Sequence, residues 1–131
     1  MGLDMYLRGE KYIFPNWNDP ESNPSEDGFR VVSCTLEIGY WRKHPNLHGY
    51  IVATFAEGVD ECQKIELDSE QLKKIIDAVK ANNLPPTKGF FFGRSDGTEA
   101  DEDIKILTKA VEWLKVKEEY IMRSVYYRAS W

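Results

Sequence analysis

The chain opens on an alternation. In "LDMYLRGEKYI", residues 3–13, Leu3, Met5 and Leu7 point one way and Asp4, Tyr6 and Arg8 the other. A period of two is that of a half-buried strand. Residues 14–28, "FPNWNDPESNPSEDG", carry three prolines among many Asn, Asp, Ser and Glu, and read as a loop. Phe14 and Trp17 are its apolar exceptions and can pin it down or form a lid. Alternation resumes from about Phe29 to Trp41, with Val32, Cys34, Leu36, Ile38 and Tyr40 on one face and Val31, Ser33, Thr35, Glu37 and Trp41 on the other.

The period then changes. Pro45 suits the first turn of a helix, where its missing N–H would be unpaired anyway. Leu47, Tyr50, Ile51, Thr54 and Phe55 recur at helical spacing, and Gly58 closes the element. "CQKIEL", 62–67, predicts a short strand. "DSEQLKKIIDAVKANN" predicts the clearest helix: Asp68 caps it, Gln71 completes a capping box, and Leu72, Ile75, Ile76 and Val79 form the buried stripe. "LPPT" breaks it. "GFFFG", 89–93, predicts a short strand, and "RSDGTEADE" a polar turn. A last helix from about Ala100 to Glu119 buries Ile104, Leu107, Val111 and Leu114. The closing "YIMRSVYYRASW" is a strand with Ile121, Arg123, Val125, Tyr127 and Ala129 on one face.

The order is therefore β-β-α-β-α-β-α-β. It predicts an α+β (mixed α/β) domain spanning 1–131: one sheet of about five strands with three helices packed on it. The two terminal strands are expected to pair centrally. At 131 residues there is room for one core and not for two ordinary domains.

Charge narrows the partners. A net charge of −5 lacks the basic field by which nucleic-acid-coating proteins gain affinity, so nucleic acid is not the expected partner. The acidic runs at Glu57–Glu61 and Glu99–Asp103 read as solvated surface. Cys34 and Cys62 have no metal-ligand spacing and read as two reduced, buried thiols of a cytoplasmic protein. No signal peptide or membrane span is recognisable, and no cofactor motif.

Four stretches resemble a family of small uncharacterised proteins encoded by phages and prophages. They are "MGLDMYL" at 1–7, "GYWRK" with a following His at 39–48, "GFFFG" at 89–93 and "YYRASW" at 126–131. Pro45 and Gly49 depart from the helix usual after the Tyr-Trp-Arg-Lys stretch. The resemblance implies a phage setting in a bacterial cytoplasm; it implies no reaction and no catalytic residue.

Candidate chemistry gathers at 40–48. Arg42 can clamp a phosphate through two parallel hydrogen bonds, and Lys43 adds a point charge, between a strand and a helix start. Tyr40, Trp41 and Tyr127 offer rings, and Arg94 and Arg128 lie close in sequence to aromatic runs. Rings beside guanidinium groups favour planar anionic ligands. His44 and His48 are four apart but lack an H-E-x-x-H motif and a third ligand, so no metal is expected; either is a weak candidate base. "GRSDG", 93–97, lacks a phosphate-loop lysine and reads as a tight turn.

The residues expected to bind are thus Tyr40, Trp41, Arg42, Lys43, His48, Arg94, Tyr127 and Arg128. The leading reading is a phage-type protein that binds a small anionic ligand, a host nucleotide signal among the candidates, and withholds it from host immune signalling. Two alternatives stand beside it: a module that blocks a host protein through its acidic surface, and a nucleotide hydrolase using His48 or His44. With no catalytic motif, binding is preferred to enzyme activity. A symmetric dimer is compatible with an aromatic-rich sheet edge.

Overall fold

The opening alternation does form a strand, and everything else is arranged around it. The computed structural model describes residues 2–87, 93, 95 and 98–131. In chain order the elements are β1 (Asp4–Ile13), β2 (Ser25–Glu26), β3 (Phe29–Arg30), β4 (Ser33–Arg42), α1 (Pro45–Phe55), β5 (Ile65–Glu66), α2 (Ser69–Lys80), α3 (Ala100–Lys115) and β6 (Ile121–Ser130). The class is α+β. Four strands make an antiparallel sheet in the order β4-β1-β6-β5, and β2 and β3 form a separate two-stranded ribbon. The terminal strands β1 and β6 pair at its centre, as expected. The strand expected at 89–93 falls, but for Gly93, outside the described residues.

One face of the sheet is buried. Leu3 just ahead of β1, Met5 and Leu7 on β1, Trp41 on β4 and Val125, Tyr127 and Ala129 on β6 share a core with Leu47 and Ile51 of α1, Leu72 and Ile75 of α2, and Leu107 of α3. α3 comes close enough that a Cβ on Gly39 would lie 2.2 Å from Ile106 Cγ2. Glycine at 39 is what lets helix and sheet meet there. The opposite face carries Asp4, Tyr6, Arg8, Glu10 and Tyr12 of β1, Tyr40 and Arg42 of β4, and Tyr126 and Arg128 of β6. The buried side of that alternation is the one against which α1 and α3 pack.

Several boundaries differ from those expected. The strand expected from Phe29 begins at Ser33, because Asp27 and Gly28 adopt φ values of 53° and 83° and close a tight hairpin between β2 and β3. β4 contains a bulge: Leu7 faces Gly39 while Arg8 faces Glu37, leaving Ile38 as the extra residue. The slip inverts the alternation, so that Tyr40 shares a face with Glu37 and Thr35, and Trp41 with Leu36. β5 is only Ile65–Glu66. α3 stops at Lys115, where Val116 turns extended. Its fully buried stripe is Asp103, Ile106, Leu107, Ala110 and Val111, with Ile104 and Leu114 half-buried. α2 has the expected capping box: Asp68 accepts from the Gln71 N–H at 2.8 Å, and the Gln71 side chain accepts from the Asp68 N–H at 2.9 Å.

The thiols also differ. Cys34 is exposed on the edge strand β4, Cys62 is half-buried ahead of β5 on the other edge, and both are free. Among the described residues no helix is long and apolar enough to cross a membrane.

Candidate functional site

The corner between β4 and α1 is set by backbone geometry. The Lys43 N–H donates to the Leu3 carbonyl at 2.8 Å, ending the ladder, and Lys43 takes a left-handed φ of 55° that turns the chain. His44 follows as the residue before the helix, and Pro45 opens α1. The turn drives the His44 ring inward, where it is 3% exposed.

There it meets a carboxylate from α3. Asp103 is 1% exposed and accepts from Trp41 Nε1–H through Oδ1 at 2.7 Å. Its Oδ2 lies 2.7 Å from His44 Nε2. The other ring nitrogen, Nδ1, lies 2.6 Å from the Ser95 hydroxyl, and that oxygen accepts the Asn46 N–H at 3.1 Å. A His44 ring protonated on Nε2 donates to Asp103 and accepts from Ser95, so every polar atom of the chain Asp103–His44–Ser95 has a partner. A cavity of about 290 Å³ opens beside this chain, with His44, Asn46, Asn82, Ser95, Glu99 and Asp103 on its wall.

One turn along α1 the pattern repeats. His48 is buried, its Nδ1 lies 2.6 Å from the Tyr127 hydroxyl, and its Nε2 lies 3.0 Å from Asp60. Burial, and after it the Asp60 charge, hold the Tyr127 hydroxyl well above its ordinary range. Trp131 meets the His48 ring edge-on, with centroids 5.7 Å apart. Both nitrogens of each histidine face protein groups, and no three His, Cys, Asp or Glu side chains among the described residues come together to hold a metal ion.

A different chemistry occupies the other face of the sheet. Tyr40, Tyr6 and Arg128 stand side by side across three strands, and Arg42, Asp4 and Ser130 form the rung two residues away. Tyr40 is 45% exposed, and its ring centroid is 5.3 Å from that of Tyr6. The Arg8 guanidinium lies 4.4 Å over the Tyr6 ring. Tyr40 donates its hydroxyl to Asp4, which raises its pKa. Arg42 approaches Asp4 at 3.9 Å, and Arg128 donates to the Cys62 carbonyl at 3.0 Å.

The residues expected to form one site therefore divide. Tyr40, Arg42 and Arg128 lie on the open face. Trp41, His48 and Tyr127 lie on the core side with His44, since neighbouring strand residues point to opposite faces. Lys43 sits at the turn, its side chain against Gly93: a Cβ there would lie 2.6 Å from Lys43 Cβ. Arg94 is outside the described residues. Sequence reasoning missed Asp103, Ser95, Asp60, Tyr6 and Arg8. Asp103 had a signal: it stands four residues before Leu107, on the buried stripe of α3, and so cannot be part of a solvated acidic run. Ser95 had none beyond its place in a turn.

No protein-family model matches this chain, and neither a curated protein nor a solved structure matches it.

Proposed function

We propose that this protein binds a small ligand combining a planar ring with an anionic group, a nucleotide being the class that fits, and that it does so on the open face of the sheet. The observation that carries this reading is the rung Tyr40–Tyr6–Arg128, with Arg8 over the Tyr6 ring and Arg42 one rung on. A ring stacking on an exposed tyrosine contributes about 1–3 kcal/mol, and guanidinium groups beside it supply hydrogen bonds to phosphate. Binding without turnover would sequester the ligand. In the phage setting that the sequence resemblance implies, the ligand withheld is a host nucleotide signal. Calorimetric titration with mono-, di- and cyclic nucleotides tests this. Tyr40→Ala and Arg128→Ala should each lose the binding while melting near the wild-type temperature.

A second reading, docking onto a host protein, has its own observation. Trp17 and Phe29 are 77% and 74% exposed around the β2–β3 ribbon, where large apolar side chains mark contact surfaces. Recovery of the same host protein by wild type and by a Trp17→Ser, Phe29→Ser variant would dismiss it.

A further inference from the structure

The two histidine chains on α1 share an order, carboxylate, imidazole, hydroxyl, but differ in access. Asp60–His48–Tyr127 is closed: Tyr127 is 1% exposed, its hydroxyl is spent on His48, and Trp131 lies against the imidazole. Asp103–His44–Ser95 is open at its hydroxyl end, because Ser95 is half-buried and lines the 290 Å³ cavity together with His44. A purely structural pin needs no such space.

We propose that Ser95 is a nucleophile, activated by His44 and oriented through Asp103, that acts on a small carboxylic ester in this cavity. The geometry supplies a nucleophile, a base and an orienting carboxylate in line. A serine hydroxyl is a weak nucleophile until a base takes its proton, and His44 Nδ1 lies 2.6 Å from Oγ. The Asn46 N–H holds the oxygen from its other side at 3.1 Å, which aims its hydrogen at the ring. Asp103 fixes the ring orientation and stabilises the charge it gains, and Asp103 is itself fixed by Trp41 Nε1–H. Ser95 stands at the first turn of α1, where the helix dipole favours developing negative charge. Val79, Leu84 and Ala100 give the cavity an apolar wall for a short acyl or aryl group.

The reaction balances without another reagent. Ser95 Oγ attacks the ester carbonyl carbon as its proton passes to Nδ1. Collapse of the tetrahedral intermediate breaks the bond to the alcohol oxygen, which leaves with the proton from Nδ1. Water, deprotonated by the same nitrogen, then cleaves the acyl-serine bond and releases the acid, and the proton returns to Ser95.

An aryl fluorophosphonate probe, which bonds to activated serines with loss of fluoride, tests this on the whole chain. One adduct per chain is expected, mapped to Ser95 by peptide mass spectrometry and absent from Ser95→Ala. His44→Gln should label at least about 100-fold more slowly, in line with the usual contribution of a general base. Asp103→Asn, assayed at a temperature where circular dichroism shows it folded, should displace the pH profile of the labelling rate, which a packing role would leave in place. Hydrolysis of p-nitrophenyl butyrate should fall to the uncatalysed rate in Ser95→Ala. A wild-type chain that takes no label at millimolar probe, or a Ser95→Ala chain that labels as the wild type does, overturns the proposal.

Discussion

Asp103→Ala removes the acceptor shared by Trp41 and His44. Both donors are buried: Trp41 is 6% exposed and His44 3%. Leaving a buried donor unpaired costs about 1–3 kcal/mol, and there are two. Relief of the carboxylate's own desolvation offsets part of this, which places the net loss at roughly 3–5 kcal/mol, the range for breaking a buried pair from one side. That is a large share of the ~5–15 kcal/mol by which a domain of this kind is stable. At about 3–4 °C per kcal/mol for this chain length, melting should fall by roughly 9–20 °C. Asp101→Ala, two residues away on the exposed side of α3, is the control and should stay within about 0.5 kcal/mol of wild type. Urea unfolding followed by circular dichroism gives both numbers, and an unchanged dependence on urea would show that the unfolded state is the same. If Asp103→Ala and Asp101→Ala lose the same small amount, the buried network has no structural role and Asp103 belongs to the solvated acidic run after all.

Two further outcomes follow from particular contacts. The Tyr127 hydroxyl is held above its ordinary range by burial and by Asp60. The unfolded chain ionises there near pH 10, at about the free tyrosine value, so its contribution is intact below that pH and lost as pH rises beyond it. Tyr127→Phe should lose about 1 kcal/mol at neutral pH with the His48 hydrogen bond and show a shallower alkaline decline than wild type; parallel declines in denaturant titrations above pH 10 would refute the shift. Gly39→Ala would place a Cβ 2.2 Å from Ile106 Cγ2 and should destabilise by roughly 1–3 kcal/mol, with Ile106→Val recovering part of it in a double-mutant cycle. Equal stability of Gly39→Ala and wild type would mean that α3 does not sit where it is described.

What could be read in the sequence was what depends on neighbours a few residues apart. The period of β1, the capping box of Asp68 and Gln71, and the helix start at Pro45 are all local, and all three formed as expected. The Asp27-Gly28 turn was equally local, and its hairpin was legible in principle, since an Asp-Gly pair suits the positive φ that the turn requires. The bulge at Ile38 was not: it comes from how β4 pairs with β1, and a one-residue slip is invisible to periodicity. Gly49 shows the same limit. It departs from a good helix former because Thr87 packs on α1 there, with its Oγ1 2.0 Å from where a Cβ would stand. The candidate sites divide along this line. Adjacent residues 40 and 41 looked like one cluster, yet they face opposite sides of the sheet. His44, Ser95 and Asp103 looked like a weak candidate base, a turn and an acidic run, yet tertiary packing joins them.

The most direct measurement is a thermal-shift panel of mono-, di- and cyclic nucleotides against wild type, Tyr40→Ala and Arg128→Ala. A ligand at 100 times its dissociation constant adds about 2.7 kcal/mol, a shift of several degrees for a chain of this length. Binding on the open face predicts that one nucleotide class shifts the wild type, and that neither variant responds although both melt near the wild-type temperature when free. No shift with any nucleotide, or an undiminished shift in both variants, would contradict it.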